Sequence, residues 1–278
     1  MKIELASSYG FCFGVKRAIK IAEKHTSSAT MGPLIHNEDE INRLKKDFNV
    51  SLYSKLSDVK PNDTVIIRTH GIPKNDLKAL RSQNTKVINA TCPFVTTPQQ
   101  IVKNMSKEGY SIIIFGDEDH PEVKGVKSYA VDQDDVFTVL EVSDLEKITF
   151  KNKKIATIAQ TTKKKEKYLE LVNYLILKHK EVRVFNTICD ATFENQDAAR
   201  DISKKADVMI VIGGKSSSNT KQLHSICLEN CHDSYLIENE QELQESWFNN
   251  KEFCGITAGA STPDWVIQKV IDKIKSYK

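Results

Sequence analysis

Three cysteines of the chain stand where a predicted β-strand gives way to a predicted helix, namely Cys12, Cys92 and Cys189. In open α/β sheets, ligands bind outside the carboxyl ends of the strands. A thiol close to a helix N-terminus favours its thiolate form, which is the form that binds metals. One cysteine in such a position is common, but three in one chain predict thiolates that converge on a metal centre.

Other polar groups also follow predicted strands or occupy loops before predicted helices. The histidines are His36, His70 and His120, and the hydroxyl and amide side chains are Ser217, Ser218, Asn219 and Ser261. Alone, each has an ordinary structural explanation, such as a hydrogen-bonded histidine or a helix N-cap. Together they would line one face that is rich in donors and lacks the carboxylates of a Mg²⁺ or Ca²⁺ site. Such surroundings suit an anion, and a phosphate or diphosphate first of all.

The elements that must position these groups alternate between strand and helix. Short runs rich in β-branched residues, such as Ser111–Phe115 and Val208–Ile212, are typical of parallel sheets covered by helices on both faces. The sequence therefore predicts an α/β fold. The corners at Cys92 and Cys189 divide it into three small α/β units with mainly parallel sheets. The predicted units are 1–92, 93–187 and 188–278, and the N-terminal strand is a candidate to pair with the third unit.

Composition excludes several classes of protein. A net charge of +3 is too small for a typical nucleic-acid-binding protein, and no apolar run reaches the ~20 residues of a membrane span. The N-terminus enters a strand without the apolar run of a signal peptide, and six cysteines do not form a dense disulfide framework. These features predict a reducing cytoplasm. The run Lys163-Lys164-Lys165 opens a helical pattern and is interpreted as a solvated face.

Three local patterns resemble known motifs but fail on spacing or context. The stretch Gly213-Gly214-Lys215-Ser216 lacks the earlier glycine of a Walker A loop, because position 209 is methionine. The stretch Gly10-Phe11-Cys12-Phe13-Gly14 does not match the dinucleotide-binding fingerprint. Cys227 and Cys231 form a lone Cys-x-x-x-Cys pair without the spacing of a zinc finger. They are predicted to share a helix, where i,i+4 geometry would allow a shared metal, but with Cys254 they are interpreted as core residues.

Nine short motifs occur in a fixed order along the chain. They are Gly10-Phe11-Cys12-Phe13-Gly14-Val15, Gly32-Pro33-Leu34-Ile35-His36-Asn37, Thr69-His70-Gly71, Ala90-Thr91-Cys92-Pro93, His120-Pro121-Glu122-Val123, Gln160-Thr161-Thr162, Asn186-Thr187-Ile188-Cys189, Ser217-Ser218-Asn219 and Thr257-Ala258-Gly259-Ala260-Ser261. On these motifs the chain closely resembles the LytB/IspH family of isoprenoid biosynthesis. The resemblance runs from the first strand to the last helix.

The resemblance implies three α/β units around a central iron–sulfur cluster of the 4Fe-4S type. Its ligands would be Cys12, Cys92 and Cys189, so that one iron has no protein ligand, whereas a fully ligated cluster uses four thiolates. The implied reaction is a two-electron reductive dehydroxylation of 4-hydroxy-3-methylbut-2-enyl diphosphate to isopentenyl and dimethylallyl diphosphate. This is the last step of the methylerythritol phosphate route, and the implied electron donor is of the ferredoxin or flavodoxin type.

The resemblance also implies roles for single residues. Glu122 would supply the proton to the departing hydroxide, and the hydroxyl of Thr161 would orient or relay that proton. His120 is an alternative member of the proton path, two residues from Glu122. The groups that would hydrogen-bond the substrate and its diphosphate are His36, His70, His120, Thr161, Ser217, Ser218, Asn219 and Ser261.

The chain departs from the family's expected pattern at Asn195, where an arginine would be expected before Gln196. No predicted ligand or catalytic residue is lost by this change. Two other functions remain open on the residues alone. The chain could be a phosphate-binding regulatory protein with a remnant pocket, or a zinc-dependent hydrolase, since thiolates and histidines also hold Zn²⁺.

Overall fold

Strands and helices alternate along almost all of the chain in the computed structural model, which describes residues 1–277. The strands are β1 Lys2–Leu5, β2 Ser28–Met31, β3 Val50–Tyr53, β4 Thr64–Ile67, β5 Lys86–Asn89, β6 Ser111–Phe115, β7 Val136–Val139, β8 Lys154–Ala159, β9 Glu181–Val184, β10 Val208–Ile212, β11 Ser234–Ile237 and β12 Phe253–Ala258. The helices are α1 Phe13–Lys24, α2 Glu38–Phe48, α3 Lys74–Ser82, α4 Pro93–Lys107, α5 Pro121–Lys127, α6 Val142–Leu145, α7 Lys165–Lys178, α8 Asp190–Ser203, α9 Ser218–Asn230 and α10 Asp264–Ser276.

The strands form three four-stranded sheets in which every pairing is parallel. Sheet A has the order β1-β12-β10-β11, sheet B the order β3-β2-β4-β5, and sheet C the order β7-β6-β8-β9. In each sheet the connections place helices on the faces, as parallel pairing requires. The predicted α/β class with parallel sheets is confirmed.

The chain divides into two compact units. Unit 1 contains Met1–Lys16, Ile35–Arg43 and the residues from Asp190 onward, and it holds sheet A. Unit 2 contains Arg17–Leu34 and Leu44–Cys189, and it holds sheets B and C. Strand β1 pairs with β12, the last strand of the chain. The division into three domains with boundaries after residues 92 and 187 stays a prediction.

The core of unit 1 covers both faces of sheet A. Ile210 and Ile256 point to one face and pack with Val270 of α10, whereas Val211 points to the opposite face and packs with Leu223 of α9. All five residues of β10 are buried, so this strand has no solvent-facing side. Each isoleucine buried in this way stabilises the fold by about 1.5–3 kcal/mol. This packing holds the carboxyl ends of the strands in place.

Two helices next to the predicted site begin with proline. Pro93 starts α4 and Pro121 starts α5. Proline is preferred at the first helical position because its missing N–H would have no partner there and its φ angle is already helical. The residue before each proline is extended, namely Cys92 and His120. The sequence therefore fixes where these two helices start and which side chains precede them.

Four short strands were not predicted from the sequence. They are β2, β3, β7 and β11, of which the last three are the edges of sheets B, C and A. The sequence of β2, Ser28-Ala29-Thr30-Met31, lacks the β-branched run that marks the central strands. Strand β2 is nevertheless buried along its whole length, because it lies between β3 and β4.

The prediction of core positions for Cys227, Cys231 and Cys254 is confirmed, since all three are buried. The prediction that Cys227 and Cys231 share a helix is wrong in part. Helix α9 ends at Asn230, and Cys231 follows it in an extended conformation. The side chain of Cys231 turns to the backbone oxygen of Asp233 instead.

The interpretation of Lys163-Lys164-Lys165 as a solvated face is wrong for its first member. Helix α7 begins at Lys165, which is exposed, but Lys163 is only 8% exposed. The backbone N–H of Lys163 donates to the carbonyl of Gln160 at 3.1 Å, so the residue belongs to the turn after β8. Its burial is therefore set by this turn, not by the helical pattern that follows it.

Candidate active site

Each of the three predicted ligand cysteines immediately precedes a helix and is partly exposed. Cys12 precedes α1, Cys92 precedes α4 and Cys189 precedes α8. The carbonyl of Cys12 accepts a hydrogen bond from Lys16 N–H at 2.9 Å, and that of Cys92 accepts one from Thr96 N–H at 3.1 Å. The prediction that these cysteines stand at strand-to-helix corners is confirmed. Each of these cysteines thus stands at the N-terminal end of a helix, which is the positive end of the helix dipole.

The other three cysteines differ in their chemistry. Burial raises the pKa of both Cys227 and Cys254 to about 12, and burial also raises the pKa of Cys231. These three therefore stay neutral thiols in the core at physiological pH. The six cysteines separate into three core residues and three partly exposed residues at helix starts, and only the second set fits the thiolate ligation that an iron–sulfur cluster needs.

Glu122 and Thr161 form a buried pair in unit 2. Glu122 is 2% exposed. The N–H of Thr161 donates to one carboxylate oxygen at 2.8 Å, and the Thr161 hydroxyl bonds the other at 2.6 Å. The N–H of Glu122 donates in turn to Nδ1 of His120, the N-cap of α5, at 3.2 Å. Both carboxylate oxygens and the backbone of Glu122 are thus fixed before any substrate arrives.

Burial raises the pKa of Glu122 above its ordinary value of 4.5. The two hydrogen bonds from Thr161 and the charge of Lys163 act in the opposite direction. A carboxyl group away from water holds its proton more tightly, because the charged form loses its solvation. Glu122 is therefore suited to hold a proton that it can give to a substrate.

Thr161 also joins the acid to a predicted ligand. Its carbonyl accepts a hydrogen bond from Cys189 N–H at 3.0 Å. The same residue thus contacts Glu122 through its N–H and hydroxyl and Cys189 through its carbonyl. Neighbouring Gln160 stiffens this turn, since its side chain accepts from Asp117 N–H at 3.0 Å and donates to Thr162 at 3.2 Å.

Two of the predicted histidines meet in unit 2. The rings of His70 and His120 lie edge to face with centroids 5.4 Å apart. His70 follows Thr69, whose carbonyl accepts from Cys92 N–H at 3.0 Å. The strand end that carries His70 therefore also holds the backbone of Cys92. The structure brings these three predicted site residues to one end of unit 2 together with Glu122 and Thr161.

His36 and the serine loop lie together in unit 1. A Cβ atom added at Gly214 would come within 2.5 Å of the His36 carbonyl oxygen, so only glycine allows this approach. The carbonyl of Gly214 then accepts from Ser217 N–H at 2.9 Å. Ser217 is the N-cap of α9, and its hydroxyl accepts from Thr220 N–H at 3.3 Å. This close packing places His36 beside the N-terminus of α9, which attracts anions.

Asn219 carries the clearest sign of a missing partner in unit 1. Its side chain is 4% exposed. Within residues 1–277, neither its Oδ1 nor its Nδ2 atom has a hydrogen-bond partner. A buried amide without partners costs free energy, and such an exception calls for an explanation. An anionic ligand at the start of α9 would satisfy the Nδ2 group.

The last strand of sheet A positions Cys12 and Ser261. The N–H groups of Gly10 and Cys12 donate to the carbonyls of Ala258 and Ala260 at 3.0 and 3.2 Å, respectively. Gly10 has a φ angle of +70°, a left-handed conformation that favours glycine. Ser261 follows Ala260 and is partly exposed. The loop of Cys12 is thus built on the end of β12.

Asn195, where the family pattern predicts arginine, is buried in unit 1. Its side-chain oxygen accepts a hydrogen bond from the hydroxyl of Ser8 at 2.6 Å. A buried arginine at this position would lose that bond and need a counter-ion. The neutral amide is therefore consistent with the local packing.

Lys163 is a further candidate residue of this site that the helical sequence pattern does not indicate. Burial lowers the pKa of Lys163, while the charges of Asp117 and Glu122 raise it. One signal in the sequence could have indicated this position. Three lysines at the start of a helix oppose the helix dipole, which disfavours cations at that end.

The comparisons with known proteins agree over almost the whole chain. The model of the LytB protein family matches residues 3–275. The 4-hydroxy-3-methylbut-2-enyl diphosphate reductase of Sulfurovum sp. (strain NBC37-1) is 65% identical over 278 residues, which is 100% of both chains.

Two solved structures are also similar. One is an (E)-4-hydroxy-3-methyl-but-2-enyl diphosphate reductase described as the terminal enzyme of the non-mevalonate pathway, with 42% identity, a TM-score of 0.72 and 99% of each chain covered. The other is the E-1-hydroxy-2-methyl-but-2-enyl-4-diphosphate reductase of Plasmodium falciparum, with 29% identity and a TM-score of 0.91 over 97% of this chain and 86% of that chain. On the full-length family match and the 65% identity, this chain belongs to the LytB protein family.

Proposed function

We propose that the protein is a reductase that converts 4-hydroxy-3-methylbut-2-enyl diphosphate to isopentenyl and dimethylallyl diphosphate. One observation from the structure carries the proposal. The buried acid Glu122 is held by Thr161, and Thr161 also accepts a hydrogen bond from the backbone of Cys189. The predicted proton source and a predicted ligand of the redox centre are thus both held by Thr161. Membership of the LytB family and the names of the similar proteins support the same substrate.

The redox centre that fits the three partly exposed cysteines is an iron–sulfur cluster. We infer a 4Fe-4S cluster held by Cys12, Cys92 and Cys189, with one iron that has no protein ligand. When bound, this cluster supplies electrons one at a time and an electrophilic iron. Three thiolates leave one iron open in the way that catalytic metal sites keep a position for substrate.

The overall reaction balances as one substrate hydroxyl replaced by hydrogen. The substrate takes up two electrons and two protons, the C–O bond breaks, a C–H bond forms at either end of the allylic fragment, and water leaves. Hydroxide is a poor leaving group, so one proton must reach the oxygen as the bond breaks. Glu122 is the donor in this proposal, because burial keeps its proton in place and Thr161 orients the carboxyl group.

The diphosphate would be bound by the histidines and by the serine loop. In unit 1 these groups are His36, Ser217, Ser218, Asn219 and Ser261, and in unit 2 they are His70 and His120. The buried amide of Asn219, which lacks a partner among residues 1–277, supports this assignment. Binding energy from the diphosphate would hold the hydroxymethyl group in reacting position, although the diphosphate itself does not react.

The electrons would come from a small one-electron carrier of the ferredoxin or flavodoxin type. Exposed aromatic residues next to two of the cysteines support docking of a partner there. Phe13, next to Cys12, is 64% exposed, and Phe94, two residues after Cys92, is 44% exposed. Aromatic side chains are enriched in protein interfaces. A reducing compartment is the setting that this chemistry requires.

No helix within residues 1–277 has both the length and the apolar character that crossing a membrane would take. The proposal therefore needs no membrane partner, and the reaction can be tested on the purified protein.

The test is to purify the protein without oxygen and to measure iron, acid-labile sulfide and visible absorption together. Turnover of the allylic diphosphate is then followed with a chemical reductant. Near-equal iron and sulfide contents approaching about four per chain, with formation of both products, are expected. Zinc in place of iron would favour the hydrolase, and a colourless protein that binds diphosphate without turnover would favour the binding protein. Either result would overturn the proposal.

A further inference from the structure

Lys163 is a buried cation beside the predicted acid. The chain has 40 lysine and arginine residues, and Lys163 is the only one of them that is buried within residues 1–277, at 8% exposure. Removing an ammonium group from water is costly unless other groups stabilise it. The position just before α7 adds a second cost, since the N-terminal end of a helix repels cations.

The turn that contains Lys163 also contains the residue that holds Glu122. Lys163 N–H closes the turn on the Gln160 carbonyl at 3.1 Å. Thr161, between them, bonds both carboxylate oxygens of Glu122. The backbone of Lys163 therefore lies in the same turn as the residue that bonds the buried carboxyl group. Burial lowers the pKa of Lys163, and the carboxylates of Asp117 and Glu122 favour its charged form.

The charges of Lys163 and Glu122 each shift the pKa of the other group. Burial lowers the pKa of Lys163, and the charges of Asp117 and Glu122 raise it. For Glu122, burial raises the pKa, and the Lys163 charge opposes that rise together with the Thr161 hydrogen bonds. Among the groups that act on Glu122, Lys163 is the one with a full charge.

The other titratable groups near Glu122 make contacts of their own. On α5, Lys124 pairs with Asp119 at 2.9 Å. His120 accepts from Glu122 N–H, and His70 of the loop after β4 packs against the His120 ring. At the end of β6, Asp117 interacts with Lys163 itself. After β9, Cys189 reaches the pair through its backbone bond to Thr161.

We propose that Lys163 is a positioning residue that acts on Glu122 through its charge and makes the buried carboxylic acid a stronger proton donor to the substrate. A fully buried carboxyl group without a nearby cation would hold its proton too tightly to release it quickly. The ammonium of Lys163 stabilises the carboxylate that remains after the proton has left. This inference rests on the proposed function, because it assigns Lys163 a part in the step that Glu122 performs.

The test measures the proton affinity of Glu122 directly in the cluster-loaded protein. Infrared spectroscopy follows the C=O stretch of the protonated carboxyl group as a function of pH, and the Glu122→Gln variant assigns the band by its loss. Lys163→Met keeps the length of the side chain without the charge, Lys163→Gln is a second neutral variant, and Lys163→Arg keeps the charge. Lys165→Met is the matched control, since Lys165 is exposed two residues away.

The expected result is a rise of about one unit in the measured pKa of Glu122 in both neutral variants. In Lys163→Arg and Lys165→Met the value should stay near that of the unchanged protein. The alkaline limb of the pH profile of kcat should move upward by the same amount, with KM unchanged. If Lys163 had only a structural role, the neutral variants and the arginine variant would not differ in this way. The pKa of Glu122 would not rise in the first and stay unchanged in the second.

An unchanged infrared titration in the neutral variants would overturn the inference. That outcome is separate from failure of the proposed function, because the titration does not depend on turnover. If the titration shifts but the unchanged protein shows no reductase activity, the electrostatic link stands and the proposed reaction fails, and with it the catalytic role given to Lys163. If Lys163→Met does not fold, the titration of Lys163→Gln is used instead. If neither neutral variant folds but Lys163→Arg does, the charge is needed for folding, and the inference is overturned.

Discussion

Thr161 gives Glu122 two hydrogen bonds, one from its N–H at 2.8 Å and one from its hydroxyl at 2.6 Å. The two bonds end on different carboxylate oxygens, so the plane of the carboxyl group is fixed. The carbonyl of Thr161 accepts from Cys189 N–H at 3.0 Å. A single residue therefore sets the orientation of the predicted acid and supports the backbone of a predicted metal ligand.

Removing the hydroxyl of Thr161 should weaken the acid without dismantling the turn. Thr161→Val keeps the shape of the side chain and the N–H bond to Glu122. Because the hydroxyl bond lowers the pKa of Glu122, its loss should raise that pKa and move the alkaline limb of kcat upward by about 0.5–1 pH unit. The kcat value should fall about tenfold. The matched control is Thr162→Val, since the Thr162 hydroxyl accepts a hydrogen bond from Gln160. Equal profiles for both variants would contradict the role of Thr161.

Glu122→Gln should abolish turnover while cluster and substrate binding persist. The loss of kcat should be about 100-fold or more, as is typical for a general acid. In the unchanged protein the acid must be protonated, so kcat should fall as pH rises through the folded pKa of Glu122, which burial places above 4.5. Turnover and the KD of the diphosphate are measured side by side. Glu118→Gln, at an exposed carboxylate paired with Lys127, is the control. Near-normal turnover of Glu122→Gln would remove Glu122 from the proton path.

Cys92→Ser should lose the cluster. A serine hydroxyl is a much poorer ligand for iron than a thiolate, so iron and sulfide per chain should fall together with the visible absorption. Cys227→Ala is the control, because Cys227 is buried in the core of unit 1. That variant should keep its iron. Iron contents that are equal in the two variants would show that Cys92 is not a ligand.

His36→Ala should weaken binding of the diphosphate. Loss of a hydrogen bond to a charged group costs about 1.5–3 kcal/mol, which corresponds to a rise in KM of about ten- to a hundredfold, with a smaller effect on kcat. Steady-state kinetics on the loaded enzyme measure both constants. His232 is fully exposed, so His232→Ala should leave KM unchanged. If His36→Ala also leaves KM unchanged, His36 lies outside the binding pocket.

Asn219→Leu should raise the Tm of the substrate-free protein and weaken binding of the substrate. The buried amide has no hydrogen-bond partner within residues 1–277, and an apolar side chain of similar size avoids the cost of leaving it unsatisfied. The expected rise in Tm is about 2–4 °C, with a higher KM. Asn195→Leu is the matched control, since Asn195 is equally buried but bonds Ser8. Its Tm should fall. A lower Tm for Asn219→Leu would show that the amide has a structural partner.

The central strands and the positions of the cysteines could be predicted because they follow from local chemistry. Runs such as Val208–Ile212 must be buried on both faces, and proline after Cys92 defines the start of α4. Strand β11 could not be predicted from Ser234-Tyr235-Leu236-Ile237, because this run contains only one β-branched residue. Its parallel register with β10 pairs Ser234 with Met209 and Ile237 with Ile212.

Residues of the candidate site could be predicted where a local motif determines their conformation. They could not be predicted where their burial depends on tertiary packing. Ser217 acts as an N-cap, as the pattern indicated. Lys163 was taken for a surface residue because charged residues before a helix are usually solvated. Its burial depends on the turn after β8, which no local pattern encodes. The pairing of Glu122 with Thr161 is likewise a contact between distant segments, and only the family resemblance suggested it.

The pairing of β1 with β12 has a consequence for the order of events during synthesis. The strands of sheets B and C are complete once residue 184 has been made. The loop of Cys12, in contrast, rests on the carbonyls of Ala258 and Ala260, which are translated long after Cys12 itself. Cys12 is therefore the first of the three cysteines to be translated and the last to reach its folded position. A chain that stops before residue 253 would therefore carry all three cysteines without the backbone support for the first.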